Sequence, residues 1–337
     1  MKAREGDLLE SQAGVIFDVK GLVHPLGKII AFPRFIPDFR GSRKRGRIFY
    51  RKIYALEERY NFLEKRFPHY LVNDPIFGER LSEVPAKDVK CLWRPHMYLQ
   101  KLRDSELKIE LETKALHFVE ILQESSRVSW NKIGISGSLL AQLTTPRSDI
   151  DLIVYGKRNC IKIHESMKLL TGNPKEPIRA YTSKELEILY AFRSQDTRVD
   201  FGKFAATEKR KVLQGKFQQC DFYIRCIKDW NEVNEVYGDV RYKSVGYVRL
   251  KATISDNSEA IFTPCRYSLE KVQLLEGKNC GNVTEIASFR GRFCEQARAG
   301  EVVVAQGKVE RVETKTGDTF FRLLLGGRRS DFMVLAD

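Results

Sequence analysis
The sequence predicts an α+β protein: a mixed sheet with flanking helices at its centre, a β-containing N-terminal extension, and a small antiparallel β domain at the C-terminal end. Three observations carry that expectation. Leu99, Leu102, Leu111, Ala115, Phe118 and Leu122 recur at helical spacing through 97–124 and lead directly into a strand–turn–strand unit at 134–156. From Gly246 onward the pattern changes to short β-like runs, such as 247–254, 260–263, 302–312 and 319–325, separated by turn formers. Ahead of both, 14–21 and 28–35 read as two strands joined by the turn His24-Pro25-Leu26-Gly27. A chain of 337 residues is long enough for two or three domains. The divisions expected are 1–96, 97–245 and 246–337.

Within the extension, residues 40–52 hold seven basic side chains and no acidic one. Arg43, Lys44, Arg45 and Arg47 are the candidates for phosphate contacts, which set a salt-dependent affinity and read no sequence. Gly41 and Gly46 suggest a flexible segment, and Phe49 and Tyr50 offer rings on which bases stack. Residues 50–66 follow with helical spacing (Ile53, Leu56, Tyr60, Leu63), and 70–97 carry the turn formers of a connector. A single long helix is then expected from Met97 to Glu124.

The central unit has the most chemical content. A strand over 132–136, a Gly137-Ser138 turn, a short helix, a loop over 144–148 and a strand over 149–155 follow one another. On the last strand Asp149 and Asp151 share a face, while Ile150, Leu152 and Val154 take the other. Two adjacent carboxylates repel, and folding gives no reason for the pairing. A hard divalent cation does, because it takes carboxylate oxygens and bridges to phosphates. Gly137 leaves room for close approach, and the amides that open the following helix suit an anion.

Gly137-Ser138, an eleven-residue step and Asp149-Ile150-Asp151 resemble the signature of the DNA polymerase β-like nucleotidyltransferase superfamily. Less closely, Gly14–Pro25 and Ser288–Glu295 look like blocks of a largely archaeal family of predicted nucleotidyltransferases. The resemblance implies a nucleotidyltransferase-type mixed sheet and attack of a hydroxyl on the α-phosphorus of a nucleoside triphosphate, ATP first. It implies Mg²⁺ or Mn²⁺ held by Asp149, Asp151 and a third carboxylate on a neighbouring strand. Asp200, 49 positions after Asp151 and set between Val199 and Phe201 in an expected strand over 197–204, is favoured for that role. Asp221, at the start of another apolar strand, is the alternative. Carried over residue by residue, Gly137 and Ser138 contact the triphosphate. Arg147 is added for its charge alone.

A net charge of +14 favours a polyanionic partner, RNA ahead of DNA. Seven scattered cysteines without a C-x-x-C pair argue against a zinc site and a disulfide framework, and so for a reducing, cytoplasmic setting. No run approaches the roughly 20 apolar residues of a membrane span, and the first residues lack a signal-peptide core. Two other readings stand beside transfer to a nucleic acid. One is a nucleic-acid-binding protein with a degenerate catalytic site, and the other is nucleotidyl transfer to a protein hydroxyl.

Overall fold
Strands buried on both faces shape the first ninety residues of this mixed α+β protein, whose computed structural model describes residues 2–195 and 199–336. Strands β1 (Leu8–Ser11), β2 (Ile16–Val19), β3 (Lys28–Pro37), β4 (Arg43–Arg45) and β5 (Ile48–Lys52) precede helix α1 (Leu56–Arg66). β6 (Leu71–Asp74), β7 (Glu79–Pro85) and β8 (Val89–Trp93) complete a sheet ordered β4-β5-β3-β2-β1-β8, with β7 pairing to both β3 and β6. Its two faces are both used. Leu9, Phe17 and Ile29 cluster with Leu63 of α1, while Leu8, Ile16, Phe35 and Tyr50 pack on Leu140, Ala141 and Leu143. Each such side chain contributes about 1.5–3 kcal/mol when fully buried.

Two helices, α2 (Pro95–Arg103) and α3 (Glu110–Ser126), replace the single helix expected over 97–124. The break is local chemistry: Glu112 reaches back to accept the Ile109 N–H at 2.9 Å, giving α3 its own start. Likewise 50–52 belong to β5 and only Leu56–Arg66 is helical. Tyr50 is buried between exposed Phe49 and Arg51, a strand alternation that outweighs the helical spacing.

A second sheet follows from β9 (Ile133–Ile135), α4 (Gly137–Leu140), β10 (Ile150–Tyr155), α5 (Lys157–Gly172) and β11 (Ile178–Arg179). Its order is β11-β12-β13-β10-β9, where β12 is Gln214–Phe217 and β13 is Cys220–Ile227. β10 runs antiparallel to β9 and parallel to β13, pairing Asp151 with Tyr223 and Ile153 with Arg225. The Phe118 ring of α3 stacks on Phe217 at 4.7 Å, covering one face. On the other face the N-terminal segment comes close. Gly6, at φ +93°, leaves no room for a side chain, since a Cβ would stand 2.8 Å from Ile153 Cδ1.

Between these elements lie α6 (Ser183–Arg193) and α7 (Phe201–Glu208). The C-terminal region forms β14 (Val240–Asp256), β15 (Cys265–Glu276), β16 (Val283–Ser288), β17 (Val302–Thr314), β18 (Thr319–Leu325) and β19 (Phe332–Leu335). The order β14-β15-β16-β18-β17 closes on itself through a long β14–β17 pairing, giving a five-strand barrel with β19 added to β17. β16 and β18 run parallel, so the domain is not purely antiparallel. Val248, Leu250, Ala252 and Ile254 point inward at every second position to fill it.

The chain divides into two compact units. The first comprises the residues up to Asn73, Arg80–Arg179 and Val212–Asn234, and the second Asp74–Glu79, Ala180–Lys211 and the residues from Glu235 onward. Both N-terminal and central sheets therefore lie in the first unit, and α6 and α7 group with the barrel, whereas the sequence suggested divisions after 96 and 245. Among the described residues no helix is long and apolar enough to cross a membrane.

Candidate active site
The turn between β9 and α4 is fixed from both sides. The Ser136 N–H donates to the Asp151 carbonyl at 2.8 Å, and the Ser136 hydroxyl donates to the Gly6 carbonyl at 2.7 Å. Gly137 follows at φ +62°, and a Cβ on it would stand 2.0 Å from Asp151 Oδ2. Only glycine meets both the left-handed backbone and the approach of the carboxylate. Asp151 thus lies against the turn.

Asp151 lines a cleft with about 430 Å³ of empty space, open to solvent, together with Asp18, Arg34, Gly137, Tyr223 and Arg225. Burial raises the Asp151 carboxyl to about 6, and the neighbouring Asp149 charge adds to the rise, against the pull of Lys52, Arg225 and Arg34. Burial also opposes ionisation of Asp18. Lys20, 2.6 Å away, with Arg225 and Arg34, outweighs it and holds that carboxyl well below the usual range. Behind them the fully buried Glu5 accepts the Gly21 N–H at 2.8 Å and the Lys20 ammonium at 3.2 Å, and pairs with Arg225. Among the described residues no side chain donates a hydrogen bond to the Asp149 or Asp151 carboxylates, which leaves their oxygens available to a cation.

The residues singled out from sequence divide into two sets. Asp151 and Gly137 come together, and Asp149 bears on Asp151 by its charge, but the strand begins at Ile150, so Asp149 stands just ahead of it. Ser138 is 1% exposed and its hydroxyl has no hydrogen-bond partner among the described residues, so Ser136 and Gly137 line the cleft instead. Arg147 is exposed and makes no ion pair among the described residues. Asp200 is not on a strand. It caps α7, accepting the Lys203 N–H at 3.1 Å, and belongs to the second unit. Residues 197 and 198 of the expected strand lie outside the described residues.

Asp221 stands at the start of β13, beside the parallel strand that carries the pair. Ile150 pairs with Phe222 and Asp151 with Tyr223, so Asp221 directly precedes the first of these partners, as Asp149 directly precedes β10. It is half exposed and ion-paired with Lys216 at 3.0 Å. No three His, Cys, Asp or Glu side chains among the described residues are grouped so as to hold a metal ion.

The basic run also separates. Arg43 is buried, with its guanidinium donating to the Leu143 carbonyl and, at 3.5 Å, to the Ser148 hydroxyl. Arg45 pairs with Glu10 at 2.8 Å and donates to the Tyr50 hydroxyl at 3.1 Å. Both serve the protein's own acceptors, and Tyr50 is fully buried, so none of the three matches the expected nucleic-acid contact. Lys44 and Arg47 remain exposed. Nor is the segment a flexible loop, for it is the β4–β5 hairpin with Arg43 paired to Tyr50 and Lys44 to Phe49.

Sequence reasoning missed Asp18, Arg34, Lys52 and Arg225. The available signal was a charge inside an apolar strand: Asp18 within Val15-Ile16-Phe17-Asp18-Val19, and Arg225 between Ile224 and Cys226.

The fold and cleft define a mixed α+β protein with paired carboxylates at a glycine turn, walled by cations. In sequence the chain is 31% identical over 340 residues to the uncharacterized protein MJ1086 of Methanocaldococcus jannaschii, covering 98% of each chain. It belongs to the same family as MJ1086. No family model matches the chain, and no solved structure matches it.

Proposed function
We propose that the protein is a metal-dependent nucleotidyltransferase of the DNA polymerase β-like type. It would move a nucleoside monophosphate from a nucleoside triphosphate, ATP first, to a hydroxyl on RNA or DNA. The observation that carries the reading is Asp151 on β10 lying against the Gly137 turn, with the Asp149 carboxylate, just ahead of β10, bearing on it. Hard oxygen donors without protein hydrogen bonds fit Mg²⁺ or Mn²⁺, which is commonly held by one or two carboxylates with substrate phosphates and water completing its shell. When bound, such an ion activates the attacking hydroxyl and neutralises charge on the leaving pyrophosphate. The chain's own residues do the positioning. Gly137 lets the Asp151 carboxylate lie against the turn, and Arg34, Lys52 and Arg225 supply positive charge around it. Asp221 is the better third carboxylate, because it lies on the strand that adjoins β10, next to the partner of Ile150, whereas Asp200 caps α7.

The test is transfer of α-labelled nucleotide, with Mg²⁺ or Mn²⁺, to RNA, DNA or protein acceptors. Native protein should transfer label and Asp149→Asn should not; transfer that survives the substitution sinks the mechanism. Label appearing on protein alone would move the acceptor to a protein hydroxyl. A second reading, nucleic-acid binding by a degenerate site, draws on the lack of a three-carboxylate group among the described residues. It predicts binding without transfer by native protein.

A further inference from the structure
The β4–β5 hairpin has two unlike faces. Arg43, Tyr50 and Lys52 are turned inward, and Arg43 ties the hairpin to Leu143 and Ser148, just ahead of Asp149. Outward and at the tip stand Lys44, Arg47 and Phe49, beside the Phe39-Arg40 turn, which the Asp38 N–H joins to the Phe49 carbonyl at 2.9 Å. Phe39 is 82% exposed and Phe49 42%. Solvation gives no reason to present two phenylalanine rings to water here. Each carries a cation: the Arg40 guanidinium 5.0 Å over Phe39 and the Lys44 ammonium 5.4 Å over Phe49. Among the described residues Arg40, Lys44 and Arg47 form no ion pair, whereas Arg51 beside them is neutralised by Asp38 and Glu58. Tyr54, also exposed, has Arg34 and Lys52 over its ring at 4.9 and 4.8 Å. Those same two cations bear on Asp151, which joins this surface to the cleft.

We propose that this outward face binds a single-stranded polynucleotide, with Phe39 and Phe49 stacking on unpaired bases and Arg40, Lys44 and Arg47 contacting phosphates. A duplex hides its base faces, so exposed rings flanked by unpaired cations favour a single strand. The role of that strand as acceptor rests on the nucleotidyltransferase reading; its binding does not. β4 ends its sheet, so the surface is open along that edge.

Fluorescence anisotropy of labelled mixed-sequence RNA and DNA, each about 20 nucleotides long and compared with a duplex of the same length, tests it. Native protein should prefer single strands. Phe39→Ala with Phe49→Ala should weaken single-strand binding about tenfold or more. Lys44→Glu with Arg47→Glu should also flatten the dependence of log affinity on log salt by about 1.4, near 0.7 per lost phosphate contact. The control is Arg158→Glu with Lys168→Glu on α5, which makes the same change in net charge and should have far less effect. An equal loss in that control, indifference to the two phenylalanines, or tighter binding of the duplex overturns the proposal. Asp149→Asn separates the two claims, since it should bind single strands as native protein does while transferring no label. Binding that depends on the hairpin in a protein that transfers nothing would sink the enzymatic reading alone. Transfer without hairpin-dependent binding would sink the surface alone.

Discussion
Replacing Asp151 by asparagine should stabilise the ligand-free protein at alkaline pH. The folded carboxyl titrates at about 6, against an ordinary value of 3.8, because burial and the Asp149 charge both resist its ionisation. A carboxyl whose proton is held more tightly in the folded state contributes stability that is full below the unfolded value and is lost as pH rises through the folded one. The window runs from about pH 4 to about pH 6. Above it the native protein carries a penalty of about 3 kcal/mol, from about two pK units at 1.36 kcal/mol each. Asparagine keeps the shape and removes the charge, so the variant should gain up to that amount at about pH 8 and lose its advantage near pH 4. Urea unfolding across that range measures both. Millimolar Mg²⁺ adds the second half of the test, because an ion bound only by the folded state stabilises it by mass action. It should raise the native midpoint at alkaline pH and leave Asp151→Asn unmoved. A variant no more stable than native at alkaline pH, with an unchanged slope between the two limits, would refute the electrostatic reasoning.

Three further outcomes follow from the same geometry. Gly137→Ala should destabilise by about 2 kcal/mol or more, since its Cβ has to displace the Asp151 carboxylate from a left-handed backbone, and should abolish nucleotide-dependent stabilisation in thermal melts. Arg43→Ala should cost about 1–3 kcal/mol by orphaning the Leu143 carbonyl, whereas Lys44→Ala should stay within about 0.5 kcal/mol, as urea midpoints will show. Asp200→Ala should lose a helix cap, about 1 kcal/mol, and keep full label transfer, while Asp221→Asn should lower transfer; the reverse order of effects would return Asp200 to the catalytic set.

The strand–turn–strand unit was legible because its signals are local. A glycine needed by the backbone, a short step and two carboxylates in period two lie within about twenty residues, as close approach demands. Asp18 and Arg34 were not legible as parts of this site, since the Asp151 and Arg225 that share their cleft lie far along the chain and only the fold brings them together. Charge counting treated residues 40–52 as one solvated run. The pleat divides them, turning Arg43 and Arg45 inward to carbonyls and carboxylates and leaving Lys44 and Arg47 outside. Asp200 was misread because a lone acid before an apolar run suits a helix cap as well as a strand, and composition does not distinguish the two. In the barrel, the outer half of β15 exposes Leu274 and Leu275, which blurs the alternation there.

The interleaving of the two units also bears on how the protein is made. β13, which completes the cleft beside β10, belongs to a segment of the first unit that begins only at Val212. Ribosomes add about 5–20 residues each second, so β10 waits several seconds or more for its neighbour to be synthesised. During that interval its apolar positions and the Asp pair lack the strand that shields them. Truncation near residue 180 would leave the same gap permanently. The first unit therefore cannot be obtained by cutting the chain once, and neither can the second, whose segments begin as early as Asp74.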